Sequence, residues 1–172
     1  MSIIRSVWVE GLLTFTFPAQ ARASKYDDWS HYRNQFQPTC GGSKAVDLVY
    51  AEQDVTWLIE VKDYRQHPRT KVLDLADEIA IKVRDTLAGL LSARCYANNT
   101  DEKHCAKALT KGSKLRVVCH LEQPVKNSKL RPQAIEPDKL KQKLRTLLKA
   151  IDPHPAVVDR RNLHPDMSWR VV

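Results

Sequence analysis

The sequence lacks any long apolar run. No stretch of its 172 residues approaches the roughly 18 consecutive apolar residues of a membrane helix, and its start lacks the apolar segment of a signal peptide. We therefore expect a cytoplasmic protein that binds no membrane. Internal repeats, heptad arrays and low-complexity tracts are also absent, which excludes repeat architectures and coiled coils. The content of 42% hydrophobic and 28% charged residues excludes wholesale disorder.

Cysteine pairs with the spacing of a structural zinc site are missing as well. The four cysteines, Cys40, Cys95, Cys105 and Cys119, form no C-x2-C or C-x4-C pair. We expect a reduced protein in which they are small buried groups or surface thiols.

Positive charge, in contrast, is abundant and concentrated in one segment. The net charge is +8, and residues 111–149 hold 11 basic and only 3 acidic side chains, whereas the rest of the chain is balanced. An excess of this size indicates a polyanionic partner such as nucleic acid. No helix-turn-helix, zinc-finger or RNA-recognition motif is present, so sequence-specific recognition finds no support.

The hydrophobic pattern predicts one α/β domain over residues 1–172, with alternating strands and helices. The predicted elements are a strand at 7–17 bent at Gly11, a helix within 19–36, a hairpin of strands 45–50 and 55–62, a helix at 71–96, an exposed connection at 98–114, a strand at 115–121, a helix at 137–151, and short strands within 156–159 and 169–172.

The central hairpin has one continuous apolar face. The apolar rows of its two strands coincide when Tyr50 pairs with Val55, and this register places Val46 opposite Ile59. The other face collects the charged residues of both strands.

Three of these residues, Asp47, Glu60 and Lys62, have the chemistry of a metal site. The register places Asp47 diagonal to Glu60, with Cβ atoms roughly 5–8 Å apart, so the two carboxylates can share a divalent cation. Lys62 adds a positive charge where a phosphate or an attacking water would lie. The grouping is suited to metal-assisted phosphodiester cleavage; the competing interpretation is an exposed strand with alternating charges.

The same residues resemble a known family. Asp47, followed after twelve residues by Glu60-Val61-Lys62, is similar to the signature of the PD-(D/E)XK nuclease superfamily, although Val46 stands where the motif has proline. The resemblance covers about residues 20–122 and implies a restriction-endonuclease-like fold, with a central mixed sheet flanked by helices. It also implies Mg²⁺, replaceable by Mn²⁺, bound by Asp47, Glu60 and the Val61 carbonyl, with Asp47, Glu60 and Lys62 as the catalytic set.

Members of this family often add an acidic residue from the first helix. Glu10, Asp27 and Asp28 all remain candidates for that position. Arg65 and Arg69, shortly after the motif, are candidate phosphate contacts.

These observations predict a Mg²⁺-dependent endonuclease, a hydrolase that cleaves DNA in preference to RNA. Further phosphate contacts are expected from the basic segment, namely Lys111, Lys114, Arg116, Lys126, Lys129, Arg131, Lys139, Lys141, Lys143, Arg145 and Lys149. The alternatives are a non-cleaving nucleic-acid-binding or scaffolding module of the same fold, and a basic subunit that meets an acidic protein. A homodimer and a partner protein both remain open.

Overall fold

The computed structural model describes residues 6–19, 22–124 and 135–172. Its strands are β1 (Ser6–Glu10), β2 (Leu13–Phe17), β3 (Arg22–Lys25), β4 (Leu48–Glu52), β5 (Val55–Asp63), β6 (Lys114–Glu122), β7 (Ala156–Val158) and β8 (Arg170–Val171). Its α-helices are α1 (Leu75–Tyr96), α2 (Thr100–Leu109) and α3 (Pro137–Leu147). No helix in these ranges is long and apolar enough to cross a membrane.

A mixed five-stranded sheet forms the centre, in the order β3-β4-β5-β6-β7. The strands from β3 to β5 pair antiparallel, and those from β5 to β7 pair parallel. The predicted α/β class and the central mixed sheet with helices are confirmed.

Two hydrophobic cores lie on opposite faces of this sheet. The three helices pack on one face, where α1 contributes Ile79, Val83 and Leu90. An antiparallel sheet of β1, β2 and β8 covers the other face, with Phe15 and Phe17 in the core. Both cores use β4, β5 and β6, so the described residues form one domain.

The hairpin register differs from the prediction by two residues. Tyr50 pairs with Trp57 rather than Val55, and Leu48 rather than Val46 pairs with Ile59. The cause is a tight turn at residues 53–54, in which Gln53 adopts a φ of 54°. Because the shift is even, each strand residue keeps its predicted face. Val46 is the exception: it lies before β4 and packs in the helix-side core, so its predicted place on the same face as Leu48 and Tyr50 was wrong.

Three other element predictions were wrong. Residues 7–17 form the β1–β2 hairpin rather than one strand, because Gly11 turns the chain at a φ of 58°. Residues 22–36 hold β3, a 3-10 turn and one π-helical turn rather than a continuous helix. The connection predicted at 98–114 contains α2, which is capped by the Asn99 side chain.

Candidate functional site

Asp47, Glu60 and Lys62 meet on the helix-covered side of the sheet. Glu60 is completely buried, and Asp47 is 8% exposed. Lys62 Nζ lies 2.5 Å from Glu60 Oε1, and the Val61 N–H donates a 2.6 Å hydrogen bond to Asp47 Oδ2. The two predicted carboxylates and the lysine therefore belong to one cluster, while their assignment as reacting groups stays a prediction.

Backbone contacts fix the position of Asp47 immediately before β4. The Val46 N–H donates to the Thr86 hydroxyl of α1 at 3.0 Å. The Tyr26 N–H donates to the Asp47 carbonyl, also at 3.0 Å. The loop before β4 is thus held both by α1 and by the 3-10 turn that follows β3.

Helix α1 adds two residues that the strand pattern did not reveal, Glu78 and Lys82. Lys82 Nζ lies 2.6 Å from Glu60 Oε1 and 3.6 Å from Asp47 Oδ1. Glu78 Oε1 lies 3.2 Å from Lys62 Nζ. Their spacing of four residues, beside the apolar stripe of α1, is the sequence signal that could have identified them.

The cluster extends to the surface through basic residues around Glu78. Lys71 Nζ lies 2.8 Å from Glu78 Oε1, and Arg69 Nη1 lies 2.9 Å from its Oε2. Burial alone would raise the pKa of Glu78, but Lys71, Lys62 and Arg69 together lower it to about 2. Glu78 is therefore ionised throughout the neutral range.

The two arginines predicted as phosphate contacts both take part in internal ion pairs. Arg65 Nη2 lies 2.6 Å from Asp63 Oδ2, and Arg69 pairs with Glu78 as described. A contact of either arginine with phosphate stays a prediction.

Burial and neighbouring charges shift the ionisation of the cluster. Burial, followed by the charge of Glu60, raises the pKa of Asp47 to about 7, although Lys82 and the Val61 N–H oppose the shift. Burial tends to lower the pKa of Lys62, but the adjacent carboxylates more than compensate and raise it. Lys62 therefore stays protonated, and the cluster is an internal network of opposite charges.

The three candidate acids before β4 have different surroundings. Asp27 is half-buried, and burial together with the charge of Asp47 raises its pKa to about 6. Asp28 is exposed and lies 3.7 Å from Lys25, which also pairs with Glu10 at 2.8 Å. Asp27 and Asp47 thus share one buried region, whereas Asp28 faces solvent.

The oxygen atoms of this cluster are suited to a hard cation. Within the described ranges, no group of three or more His, Cys, Asp or Glu side chains is placed to hold a metal ion. The buried Glu60 Oε2, however, has no hydrogen-bond partner among those residues. Mg²⁺ keeps several waters and often uses only one or two carboxylates, so Asp47 and Glu60 fit this ion. The Val61 carbonyl as a third ligand stays a prediction.

Seven of the eleven predicted basic contacts fall into three groups. Lys126, Lys129 and Arg131 lie outside the described residues. On α3, Lys139 pairs with Glu136, and Lys143 pairs with the first turn of α1. Lys141 and Arg145 are exposed and have no ion pair with any described residue.

These two residues border a cleft of about 290 Å³ near the amino ends of β6 and β7. Its other basic or aromatic lining residues are Arg116, His154, His164 and Trp57. The two histidines and the tryptophan were not among the predicted binding residues. Their separation in sequence explains this, since only the fold brings them together.

The carboxylate of Asp152 holds several residues of the cleft lining in place. It is completely buried, and its Oδ1 accepts from Arg116 Nη1 at 3.0 Å and from the His154 N–H at 2.9 Å. Its Oδ2 accepts from the Val117 N–H at 2.8 Å. One carboxylate therefore fixes Arg116 and the start of the following loop.

Comparison with known proteins shows a similarity to a tRNA ligase. The chain is 33% identical, over 156 aligned residues, to a cysteine–tRNA ligase of Neisseria meningitidis serogroup A / serotype 4A. The match covers 73% of this chain and 22% of the ligase, so the chain spans about a fifth of that protein's length. No family model matches, and no solved structure gives a significant match.

This similarity overturns the predicted function. The matched protein is named as a ligase, so the predictions of a DNA-cleaving endonuclease and a phosphodiester hydrolase were wrong. The structure supplies a physical reason for the misleading pattern. Asp47, Glu60 and Lys62 form an internal ion-pair network with Lys82 and Glu78, and that network accounts for their spacing without any cleavage chemistry.

Proposed function

We propose that this chain is an RNA-binding domain that binds an unpaired segment of tRNA in the cleft bordered by Arg116, Lys141 and Arg145. The observation that carries the proposal is the pair of cations on the cleft rim without any ion-pair partner among the described residues. Arginine and lysine side chains of this kind commonly contact nucleic-acid phosphates.

The cations are arranged for phosphate contact. Lys141 and Arg145 lie one helical turn apart on α3, beside the buried Leu140 and Leu144 that fix the helix to the sheet. Arg116 is held in place by Asp152. The three side chains therefore extend from a strand and a helix rather than from a loop, which reduces the backbone entropy lost on binding.

The cleft also offers ring surfaces for bases. The exposed rings of His154 and His164 provide these surfaces, whereas Trp57, which also lines the cleft, is only 5% exposed and packs in the core. Proteins that bind single strands stack unpaired bases on such rings while cations follow the backbone. A volume of about 290 Å³ is at the low end of ligand pockets and suits one nucleotide unit rather than a duplex.

The choice of tRNA rests on the similarity to the ligase, whose name specifies tRNA. The sequence alone favours DNA over RNA, so both nucleic acids belong in the test. The proposed compartment is the cytoplasm.

The test measures binding by fluorescence anisotropy with labelled tRNA, and with single-stranded and duplex DNA of comparable length. We expect the tightest binding to tRNA. The double variant Lys141→Gln/Arg145→Gln should bind tRNA more weakly and lower the salt slope by up to about 1.4, or roughly 0.7 for each lost single-strand contact.

The matched control is Lys139→Gln/Lys149→Gln, which removes the same charge from the same segment outside the cleft. If both double variants bind tRNA equally well, the cleft is not the binding site. Equal affinity of the unmodified protein for tRNA and duplex DNA would contradict the choice of ligand.

Mg²⁺, with Mn²⁺ able to replace it, remains a proposal for the buried cluster. Two observations support it: the buried Glu60 Oε2 has no hydrogen-bond partner among the described residues, and Lys82 Nζ contacts both Glu60 Oε1 and Asp47 Oδ1, so the two carboxylates lie close together. Bound there, the ion would supply positive charge at the carboxylate pair. Mn²⁺ binding followed by electron paramagnetic resonance should be lost in Glu60→Gln, and retention of binding in that variant would place the ion elsewhere.

The restriction-endonuclease-like fold is likewise a proposal, limited to architecture. Its support is the order of elements, in which Asp47 precedes β4, Glu60 and Lys62 lie on β5, and α1, α2 and then β6 follow. An experimental structure superposed on that superfamily would test it.

A further inference from the structure

The ammonium group of Lys82 lies between the two buried carboxylates of the cluster. It is 2.6 Å from Glu60 Oε1 and 3.6 Å from Asp47 Oδ1. The Lys82 side chain is 16% exposed, whereas that of Glu60 is completely buried. Two carboxylates in this setting repel each other, and the ammonium offsets that repulsion.

A divalent cation bound to both carboxylates would need the same space. Mg²⁺ coordinates oxygen at about 2.0–2.1 Å, which places it inside the region that the ammonium occupies. Like charges at such a separation also repel strongly in a buried site. The ammonium and the cation therefore exclude each other.

The two lysines of the cluster differ in what holds them. Lys62 Nζ lies 2.5 Å from Glu60 Oε1, but it also contacts Glu78, so it keeps a partner when a metal ion replaces it at Glu60. Lys82 pairs only with Asp47 and Glu60 among the described residues. Because its side chain is flexible and partly exposed, the ammonium group of Lys82 can move into solvent.

We propose that Lys82 is a tethered counter-ion that neutralises Asp47 and Glu60 when the cluster is metal-free and that a divalent cation must displace. The cluster then has two forms, one with Lys82 between the carboxylates and one with a metal ion there and Lys82 in solvent. This inference rests on the proposed cation site and is independent of RNA binding.

The test compares the unmodified protein with Lys82→Met, which removes the charge and keeps the length of the side chain. Mn²⁺ affinity is measured by electron paramagnetic resonance, and thermal unfolding is followed in EDTA and in Mg²⁺. We expect Lys82→Met to bind Mn²⁺ at least tenfold more tightly. Its unfolding temperature should fall in EDTA and recover in Mg²⁺, whereas that of the unmodified protein changes little.

Two further variants serve as controls for the metal-binding and unfolding measurements. Lys107→Met removes an exposed lysine of α2 and should behave as the unmodified protein. Lys82→Met/Glu60→Gln should bind no Mn²⁺ and should unfold at the same temperature in EDTA and in Mg²⁺. If Lys82→Met is unfolded in EDTA, refolding in Mg²⁺ supports the proposal, and failure to refold there overturns it.

The remaining outcomes contradict the inference in distinguishable ways. Equal Mn²⁺ affinity in Lys82→Met and the unmodified protein would mean that Lys82 does not compete, while the cation site would stand. Absence of Mn²⁺ binding in both proteins would remove the cation site itself. Neither result bears on the affinity for tRNA, which is measured separately.

Discussion

Gly89 of α1 lies directly against the phenol of Tyr26. A Cβ atom at position 89 would overlap the Tyr26 hydroxyl oxygen and would lie 3.0 Å from a ring carbon of Phe36. Tyr26 is completely buried, so it has little room to move. The absence of a side chain at position 89 is what lets the 3-10 turn pack onto the helix.

We therefore predict that Gly89→Ala destabilises the protein. Alanine favours a helix interior by about 1 kcal/mol over glycine. Overpacking typically costs about 1–3 kcal/mol and should outweigh that gain here, because the contact is severe. Urea unfolding at pH 7 measures the difference.

The control is the double variant Gly89→Ala/Tyr26→Phe. The Tyr26 hydroxyl has no hydrogen-bond partner among the described residues, so its removal should relieve the overlap at little cost. A double variant no more stable than Gly89→Ala would show that the phenol is not the obstacle.

The long elements could be predicted from sequence because their patterns are strong. Helix α1 has an apolar stripe over 22 residues and an Asp74 N-cap, and β5 is a buried run of aromatic and β-branched residues. The sequence pattern did not predict helix α2, because this helix buries only Ala106 and Leu109. Two buried positions are too few to show a helical repeat of apolar residues. The aromatic spacing from Tyr26 to Phe36 suggested a helix, but these side chains pack from two separate short turns.

The candidate site was predictable only where it lies on adjacent strands. The sequence correctly placed Glu60 and Lys62, together with Asp47 before the preceding strand, on one face of the sheet. The predicted register was wrong by two residues, but an even error leaves every strand side chain on the same face. Lys82 reaches the cluster from a helix 22 residues further on, and the cleft joins positions as distant as Trp57 and His164. Such contacts depend on packing between elements, which sequence pattern does not specify.

Acid should lower the free energy of unfolding, because Glu78 becomes protonated and loses its ion pairs. Its pKa is about 2 in the folded state, below its ordinary value of 4.5. Stabilisation by its ion pairs is therefore present above about pH 4.5 and is lost as pH falls towards 2, up to a total of about 3 kcal/mol.

The measurement is the free energy of unfolding between pH 7 and pH 2.5, for the unmodified protein and Glu78→Gln. The variant should be less stable at pH 7, and the difference should shrink on acidification. Parallel pH profiles would contradict the role assigned to Glu78.

Asp27, in contrast to Glu78, should make the protein less stable as pH rises. Its pKa is raised to about 6, so the folded state loses stability relative to the unfolded chain as pH rises from about 4 to above 6. Asp27→Asn removes this charge near Asp47 and should stabilise the protein at pH 8 by about 1 kcal/mol, a figure reduced for solvent screening of a half-buried group.

The gain from Asp27→Asn should be smaller at pH 5, where the carboxyl group is already largely protonated in the folded state. Asp28→Asn is the matched control, since its exposed carboxylate pairs with Lys25 and Arg33. Equal effects of the two substitutions at pH 8 would rule out burial as the cause.

Asp152 should link the stability of the fold to binding in the cleft. Its carboxylate accepts hydrogen bonds from Arg116, the Val117 N–H and the His154 N–H. Asparagine has the same shape but turns one acceptor into a donor, so it would oppose either the guanidinium or a backbone N–H. Breaking a buried charge pair in this way typically costs about 3–5 kcal/mol.

We predict that Asp152→Asn lowers stability and also weakens tRNA binding, because Arg116 loses its anchor. Arg116→Gln should weaken binding to a similar degree and should also lower stability, because it leaves the buried Asp152 carboxylate with only its two backbone hydrogen bonds. Asp54→Asn, which alters an exposed contact with Ser113 outside the cleft, is the control. Unchanged tRNA affinity in folded Asp152→Asn protein would show that Arg116 does not need its anchor to bind RNA.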